Sequence, residues 1–237
     1  MNTYDTRLIG TEPVADRTMA FHFEKPADFS FLGGQAISLG LPDVGERGQA
    51  ARHAFSLVSA PHEDRLTIAT RLRGSPYKEA LRALEPGAPA LFNGPFGHLA
   101  LHQDMARDAV MIAGGIGITP FVSILRQAAR QRPERRFVLV CSNRRTEDAA
   151  YLDELLALAH DYGGLRIIPT LTRADTVTPG WAGHTGKIDG ALLTDIAAHA
   201  PIYYLAGPPP FVEAMQTHLR EIGVAEDDVR SEGFYGY

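Results

Sequence analysis

Two hydrophobic rhythms divide this chain. Up to about residue 101 the apolar positions come in short alternating runs, the period of strands with one covered face. Thr18 to Phe23 alternates and places Met19, Phe21 and Phe23 together. Phe29 to Leu39 reads as a turn leading into a second alternating strand, Pro42 to Arg52 as a polar loop, and Ala54–Val58 and Leu66–Leu72 as two further strands. A short helix is predicted from Ser75 as N-cap and Pro76 at the first helical position, stopped by Gly87. Pro89 to Leu101 is expected to give a strand, a turn at Asn93–Gly97 and another strand. Short strands, turn signals and one small helix predict an antiparallel β-barrel.

From about Asp104 the rhythm changes to strand then helix. Strands are predicted at 110–113, 137–141, 165–170 and 202–206, and helices at 119–131, 147–160, near 189–199 and at 210–222. Thr146 reads as the N-cap of the second helix, and Pro210 and Gly223 as the start and stop of the last. Such alternation predicts a parallel sheet covered by helices. The fold class is therefore all-β followed by α/β, with a boundary between Leu101 and Arg107 and units of 1–103 and 104–237. There is no internal repeat and no low-complexity segment.

The stretch Val110 to Phe121 concentrates the candidate chemistry. Val110–Ala113 is an apolar run suited to a strand buried on both faces. Gly114, Gly115 and Gly117 permit a sharp turn and leave room for a ligand against the main chain, and Thr119 and Pro120 suit a helix start. A helix N-terminus there offers free N–H groups and a positive dipole end to a diphosphate. Taken alone the glycines fit an ordinary turn equally well. The spacing is not G-x-G-x-x-G, so the two-half dinucleotide fingerprint is absent.

Composition narrows the classes. The chain has 237 residues, 45% hydrophobic and 22% charged, with a net charge of -5 that argues against general nucleic-acid binding. Its one cysteine, Cys141, rules out an internal disulfide, a four-cysteine iron–sulfur cluster and a cysteine-built zinc site. The nine histidines are scattered and form no H-E-x-x-H, and no metal is expected. The polar start Met1–Asp5 lacks the apolar core of a signal peptide. The apolar stretch Val110–Leu125 is too short to span a bilayer, so no membrane association and a cytoplasmic location are expected.

Four separated motifs then carry a resemblance. His53-Ala54-Phe55-Ser56 is similar to an Arg-x-Tyr/Phe-Ser flavin motif, and Gly114-Gly115-Ile116-Gly117-Ile118-Thr119-Pro120 to a nicotinamide-diphosphate loop. Ala206-Gly207-Pro208-Pro209 is similar to a Cys-Gly-Pro-Pro motif, and Glu232-Gly233-Phe234-Tyr235-Gly236-Tyr237 to an aromatic C-terminus that lies against flavin. In this order, over nearly the whole chain, they resemble the ferredoxin–NADP reductase family. Two positions depart. The flavin-motif arginine falls on His53 with Arg52 one residue earlier, and the cysteine falls on Ala206.

The resemblance implies a flavoprotein oxidoreductase with FAD and NADP(H), NAD(H) being the alternative nucleotide. It implies that Arg52 or His53 serves the flavin phosphate, that Ala54, Phe55 and Ser56 meet the isoalloxazine, and that Thr70 and Arg71 line it. Gly74, Ser75 and Lys78, opposite Arg71 and Arg73, suit the flavin diphosphate. Gly114, Gly115, Gly117, Ile118, Thr119, Pro120, Gly207 and Pro208 are expected at the nicotinamide nucleotide. Arg144, Thr172-Arg173 and Thr185-Gly186-Lys187 match loops that hold a 2′-phosphate. Phe234 and Tyr237 are expected against the flavin, and Ser56, Glu232 and Tyr237 are the candidate catalytic residues. The chain has no cluster of its own, so the implied acceptor is a separate ferredoxin or flavodoxin, steered by Arg71, Arg73, Lys78 and Arg82. A reductase of free flavin and a subunit of a larger complex are the alternatives.

Overall fold

The computed structural model describes residues 2–42, 51–173, 181–196 and 200–234. The first six strands are β1 (Thr3–Ala15), β2 (Thr18–Glu24), β3 (Ala36–Leu41), β4 (Ala51–Ser56), β5 (Arg65–Arg71) and β6 (Pro89–Phe96). They form an antiparallel sheet in the order β4-β3-β6-β1-β2-β5. Just beyond β4, Leu57 bridges to Ile68 of β5, and the Val58 N–H donates to the Thr67 carbonyl at 2.7 Å. These bonds draw the two outer strands together, so the expected barrel forms. Phe21, Phe23, Phe29, Leu39, Ile68 and Phe92 fill it.

In this half one strand was not foreseen and two expectations need correction. β1 spans thirteen residues although its sequence has no apolar alternation. Its partners β6 and β2 hold it by backbone bonds, with Leu8 among the few buried side chains. β6 is one strand where a strand-turn-strand was expected at Asn93–Gly97. Asn93 pairs with both Thr3 and Ser38, and a Cβ on Gly94 would sit 2.9 Å from Ile37 Cγ2. That glycine makes room for a neighbour and does not turn the chain. β2 is covered on both faces, not one: Phe21 and Phe23 enter the barrel, while Ala20 joins the core of the second half.

The second half contains β7 (Ala109–Gly114), β8 (Phe137–Asn143), β9 (Leu165–Leu171), β10 (His184–Thr185), β11 (Ile202–Gly207) and β12 (Val229–Gly233). All run parallel in the order β10-β9-β8-β7-β11-β12. Helix α2 (Thr119–Gln131) matches its predicted span; α1 (Pro76–Arg82) is the capped helix of the first half. Helix α3 (Leu152–Asp161) begins later than predicted, after a 3-10 turn at Thr146–Asp148, so Thr146 does not cap it. Asp148 is drawn out of the helix by ion pairs described below. Of the helix expected near 189–199, α4 spans Gly190–Ile196 and 197–199 lie outside the described residues. Helix α5 (Pro209–Glu221) ends where Gly223, at φ +84°, donates to the Arg220 carbonyl and Val224 to that of Leu219. β12 was not foreseen; it is a polar edge strand with no apolar run.

α2 fastens the halves together. Phe121, Ile124 and Leu125 pack into one core with Val58, Ala69 and Leu99 of the barrel side. Ser123 Oγ donates to the Ser59 carbonyl at 2.7 Å, and the Arg126 guanidinium reaches Glu63 of the first half and Glu154 of the second.

Candidate active site

The site forms where the carboxyl ends of the parallel strands meet the barrel. A 3-10 turn, Gly115–Ile118, leads from β7 into α2. At three glycines in and around this turn there is no space for a side chain. A Cβ on Gly117 would lie 2.7 Å from Gly207 Cα and closer still to the Ala206 carbonyl. A Cβ on Gly207 would lie 3.2 Å from Gly114 Cα, and one on Gly114 2.8 Å from the Phe211 ring. Two motifs ninety residues apart in sequence therefore interlock through their main chains. Ala206 is fully buried against this turn, which explains a small residue there.

Beside the turn is a crevice of about 300 Å³. Gly114 lines it from β7, Gly115 and Ile116 from the turn, Asn143 and Arg144 from the end of β8 and just beyond it, Thr172 from just beyond β9, Pro208 and Phe211 from the junction of β11 and α5, and Arg71 and Arg73 from the barrel. Crevices at this end of a parallel sheet are where nucleotides bind in open α/β folds. The strand order brings the expected phosphate cations together: Arg144 follows β8, Arg173 follows β9, and Lys187 follows β10. The Arg173 N–H donates to the Arg144 carbonyl at 3.2 Å, so these loops are joined by backbone. Asp148 and Phe211 were not foreseen. Only the helix-favouring Thr146-Glu147-Asp148 and the residue after the proline run hinted at them.

On the barrel side, Ser56 and Thr70 are buried and their hydroxyls have no hydrogen-bond partner among the described residues. An unsatisfied buried hydroxyl is costly, and such atoms concentrate where a ligand completes the bonding. Ser56 ends β4 and Thr70 lies near the end of β5, which passes beside the Gly115–Ile118 turn. The two hydroxyls fit a flavin edge.

His53 and Arg52 are separated by the strand's alternation. The His53 ring lies 4.2 Å from that of Tyr77 on α1, while the Arg52 guanidinium binds Asn93 and the Ser38 carbonyl. His53 thus packs on Tyr77 near Lys78, while the Arg52 guanidinium is tied to β3 and β6. Burial, and secondarily the nearby Lys78 ammonium, hold the His53 imidazole below the usual histidine range. Ser75 Oγ accepts from the Lys78 N–H at 3.3 Å, and Gly74 precedes that cap. Burial, with Arg73 second, lowers Lys78 as well. Tyr77 Oη donates to the Leu39 carbonyl at 2.8 Å and pins α1 to the barrel.

Arg71 ends β5 and lines the crevice. It pairs with Asp148 across the seam, and Arg145 joins the same carboxylate and Asp16. The Arg145 hydrogen bond and the Arg71 charge together hold Asp148 below the usual carboxylate range despite its burial. This cluster fixes one wall of the crevice.

Glu232 sits at the end of β12, opposite Ala206. Its Oε1 accepts from the His98 N–H at 3.0 Å and occupies the space a Cβ on Gly97 would take. Gly97 follows Phe96, Phe96 pairs with Ala36, and Ala36 pairs with Ser56. Adjacent strand ends therefore bring Glu232 and Ser56 to the same rim. Burial pushes the Glu232 carboxyl up, so it is a group that can hold a proton. The Phe234 N–H donates to the Gly207 carbonyl at 2.9 Å, which ties the chain end to β11. Tyr237 lies outside the described residues. Cys141 is fully buried and its thiol is pushed up to about 12, leaving it inert. No group of metal-ligating side chains occurs among the described residues.

The comparisons with known proteins agree with this geometry. Residues 111–217 match the oxidoreductase NAD-binding domain family. The chain is 32% identical over 238 residues to ferredoxin–NADP reductase B of Sorangium cellulosum, covering 94% of this chain and 92% of that protein. It is 33% identical over 150 residues to the xylene/toluene monooxygenase electron transfer component of Pseudomonas putida, covering 63% of this chain and only 42% of that protein. A ferredoxin–NADP+ reductase from Neisseria gonorrhoeae, crystallised with FAD and NADP, superposes with a TM-score of 0.84 at 23% identity over 98% of both chains.

Proposed function

The chain belongs to the ferredoxin–NADP reductase family, and from that premise we propose that it takes hydride from NADPH onto FAD and hands electrons to a separate ferredoxin or flavodoxin. Residues 1–103 are the flavin half and 104–237 the nicotinamide half of this reading. The observation that carries it is the meeting of two sites at one set of strand ends. The orphan hydroxyls of Ser56 and Thr70 face the flavin side, and the Gly114–Gly117 crevice opens on the nicotinamide side.

Bound flavin supplies the step from two-electron hydride to single electrons. The protein's part is placement. The Gly115–Ile118 turn presents backbone N–H groups to a diphosphate, and Arg144, Arg173 and Lys187 offer charge to a 2′-phosphate. His53, Ser75 and Lys78 hold the flavin phosphate side, while Ala54 and Phe55 flank the ring. Ser56 donates to or accepts from the flavin nitrogen that changes protonation, and Glu232 holds a proton at the rim. No described helix is long and apolar enough to cross a membrane, which accords with work in the cytoplasm on a diffusing partner.

Anaerobic visible absorption titration tests the reading. The purified protein should be yellow and bleach on NADPH at lower concentration than on NADH. Preferential bleaching by NADH would remove the roles of Arg144, Arg173 and Lys187. A colourless protein that consumes NADPH only with added flavin would make it a reductase of free flavin.

A further inference from the structure

The proposed reading accounts for the cations of the crevice but leaves one of its polar groups unused. Asn143, the last residue of β8, is only 7% exposed and lines the crevice. Among the described lining residues, its Oδ1 is the buried side-chain atom with no hydrogen-bond partner. Its backbone is clamped: the Thr172 N–H and Oγ1 both donate to the Asn143 carbonyl, at 2.9 Å and 3.3 Å. A fixed, buried acceptor inside a ligand crevice is a strong demand for a donor.

The chemistry of the ligand narrows which donor. A phosphate at neutral pH has little hydrogen to give, and its charge suits the cations. The donors of a dinucleotide are its ribose hydroxyls and its base amino groups. Ser142, the neighbour of Asn143, pairs with Gly114. Asn143 is thus one strand, about 4.8 Å, from the turn that takes the diphosphate. One methylene joins the diphosphate to its ribose, whereas the base lies beyond the sugar. The group within reach is the ribose. In NADPH the adenosine 2′-oxygen carries phosphate, so the free hydroxyl on that sugar is the 3′.

We propose that Asn143 is a nucleotide-binding residue that accepts a hydrogen bond from the adenosine-ribose 3′-hydroxyl, a group shared by NADPH and NADH. This rests on the nicotinamide-nucleotide reading above. A neutral acceptor is the choice that tolerates both. A carboxylate here would hold the hydroxyls of NADH but repel the 2′-phosphate of NADPH. Asn143 supplies affinity common to both nucleotides, and Arg144 beside it supplies discrimination.

Calorimetric titration of the flavin-loaded protein with 5′-ADP and 2′,5′-ADP separates these roles without turnover. Asn143→Ala should weaken both ligands by similar factors, about tenfold, the scale of one net hydrogen bond. Arg144→Ala should weaken only 2′,5′-ADP. Asn143→Asp, which keeps an acceptor and the shape, should retain 5′-ADP and lose more 2′,5′-ADP affinity than Asn143→Ala. Unchanged flavin absorbance and melting midpoint show that the variants are folded. If the wild type binds both ligands and neither Asn143 variant alters either titration, the inference fails while the nucleotide site stands. If the wild type binds neither ligand, the nucleotide reading fails and takes the inference with it.

Discussion

On the proposed reading, the two halves of the site prepare for their nucleotides by opposite means. The nicotinamide side removes side chains: Gly114, Gly117 and Gly207 let three backbone segments approach so closely that a Cβ at any of them meets a neighbour within 3 Å. The flavin side adds them: Ser56 and Thr70 supply buried hydroxyls, and His53 leans on Tyr77 beside Lys78. The first is a main-chain device, which depends on the absence of atoms. The second is a side-chain device, which depends on rotamers held by packing. They should fail differently.

The sharpest break is Gly117→Ala. Its new Cβ would overlap the Ala206 carbonyl, a backbone atom in a buried strand that cannot swing aside. Overpacking of this kind should cost about 3 kcal/mol, or roughly 10 °C in melting midpoint for a chain of this size. NADP+ binding should be lost while the purified protein remains yellow. Gly115→Ala, in the same motif, sharpens the point. Nothing lies within 4 Å of that Cβ, and only the φ of +55° is unfavourable, so the cost should be about 1 kcal/mol. Equal destabilisation by the two would show that the turn is strained by φ and not by contact. Thermal unfolding with calorimetric NADP+ titration reads both.

That contrast also explains what was legible in the sequence. A main-chain device is local, so Gly114 to Pro120 announces itself in seven residues, and the span of α2 followed from it. The side-chain device is distributed. Ser56 and Thr70 come to neighbouring strand ends only because β4 and β5 close a barrel through Leu57 and Ile68. Arg52 and His53 could not be separated until strand alternation sent one to Asn93 and the other to Tyr77. The Arg71–Asp148 pair was illegible for the same reason, since the two residues are seventy-seven apart in sequence. The inner strand β1 and the edge strand β12 were illegible because backbone pairing with neighbours, not an apolar pattern, holds them.

The side-chain device should tolerate loss of one member better. Ser56→Ala removes a hydroxyl that has no partner among the described residues, so the flavin-free protein should melt within about 1 °C of wild type. With flavin bound, one net hydrogen bond is lost, and hydride transfer from NADPH should slow about tenfold. Thr70→Val, close to its isostere, should also keep the fold. Stopped-flow bleaching of the flavin reads the rate. A large loss of stability in the flavin-free Ser56→Ala variant would mean that this hydroxyl serves the barrel and not the ligand.

The smallest effect concerns the seam that holds the two devices in register. His22 is buried between Thr67 and Glu12, and His102 is buried against Tyr204 and accepts its hydroxyl or donates to it at 2.6 Å. Burial is the main cause that lowers both, reinforced at His22 by Arg65 and at His102 by Arg135. A histidine lowered in the folded state binds fewer protons there than when unfolded, in the interval between the two values. Stability is therefore complete above the unfolded value, near 6.5, and is lost as pH falls through and below it. The melting midpoint should drop by a few degrees between pH 7.5 and pH 5.5, and His102→Gln should flatten part of that slope. Nicotinamide and flavin contacts should respond together, because α2 and the ion pairs of Arg126 and Asp148 make the seam common to both. A midpoint that stays level across this range would show that neither histidine resists protonation in the fold, and that the seam's tolerance of acid lies in its ion pairs.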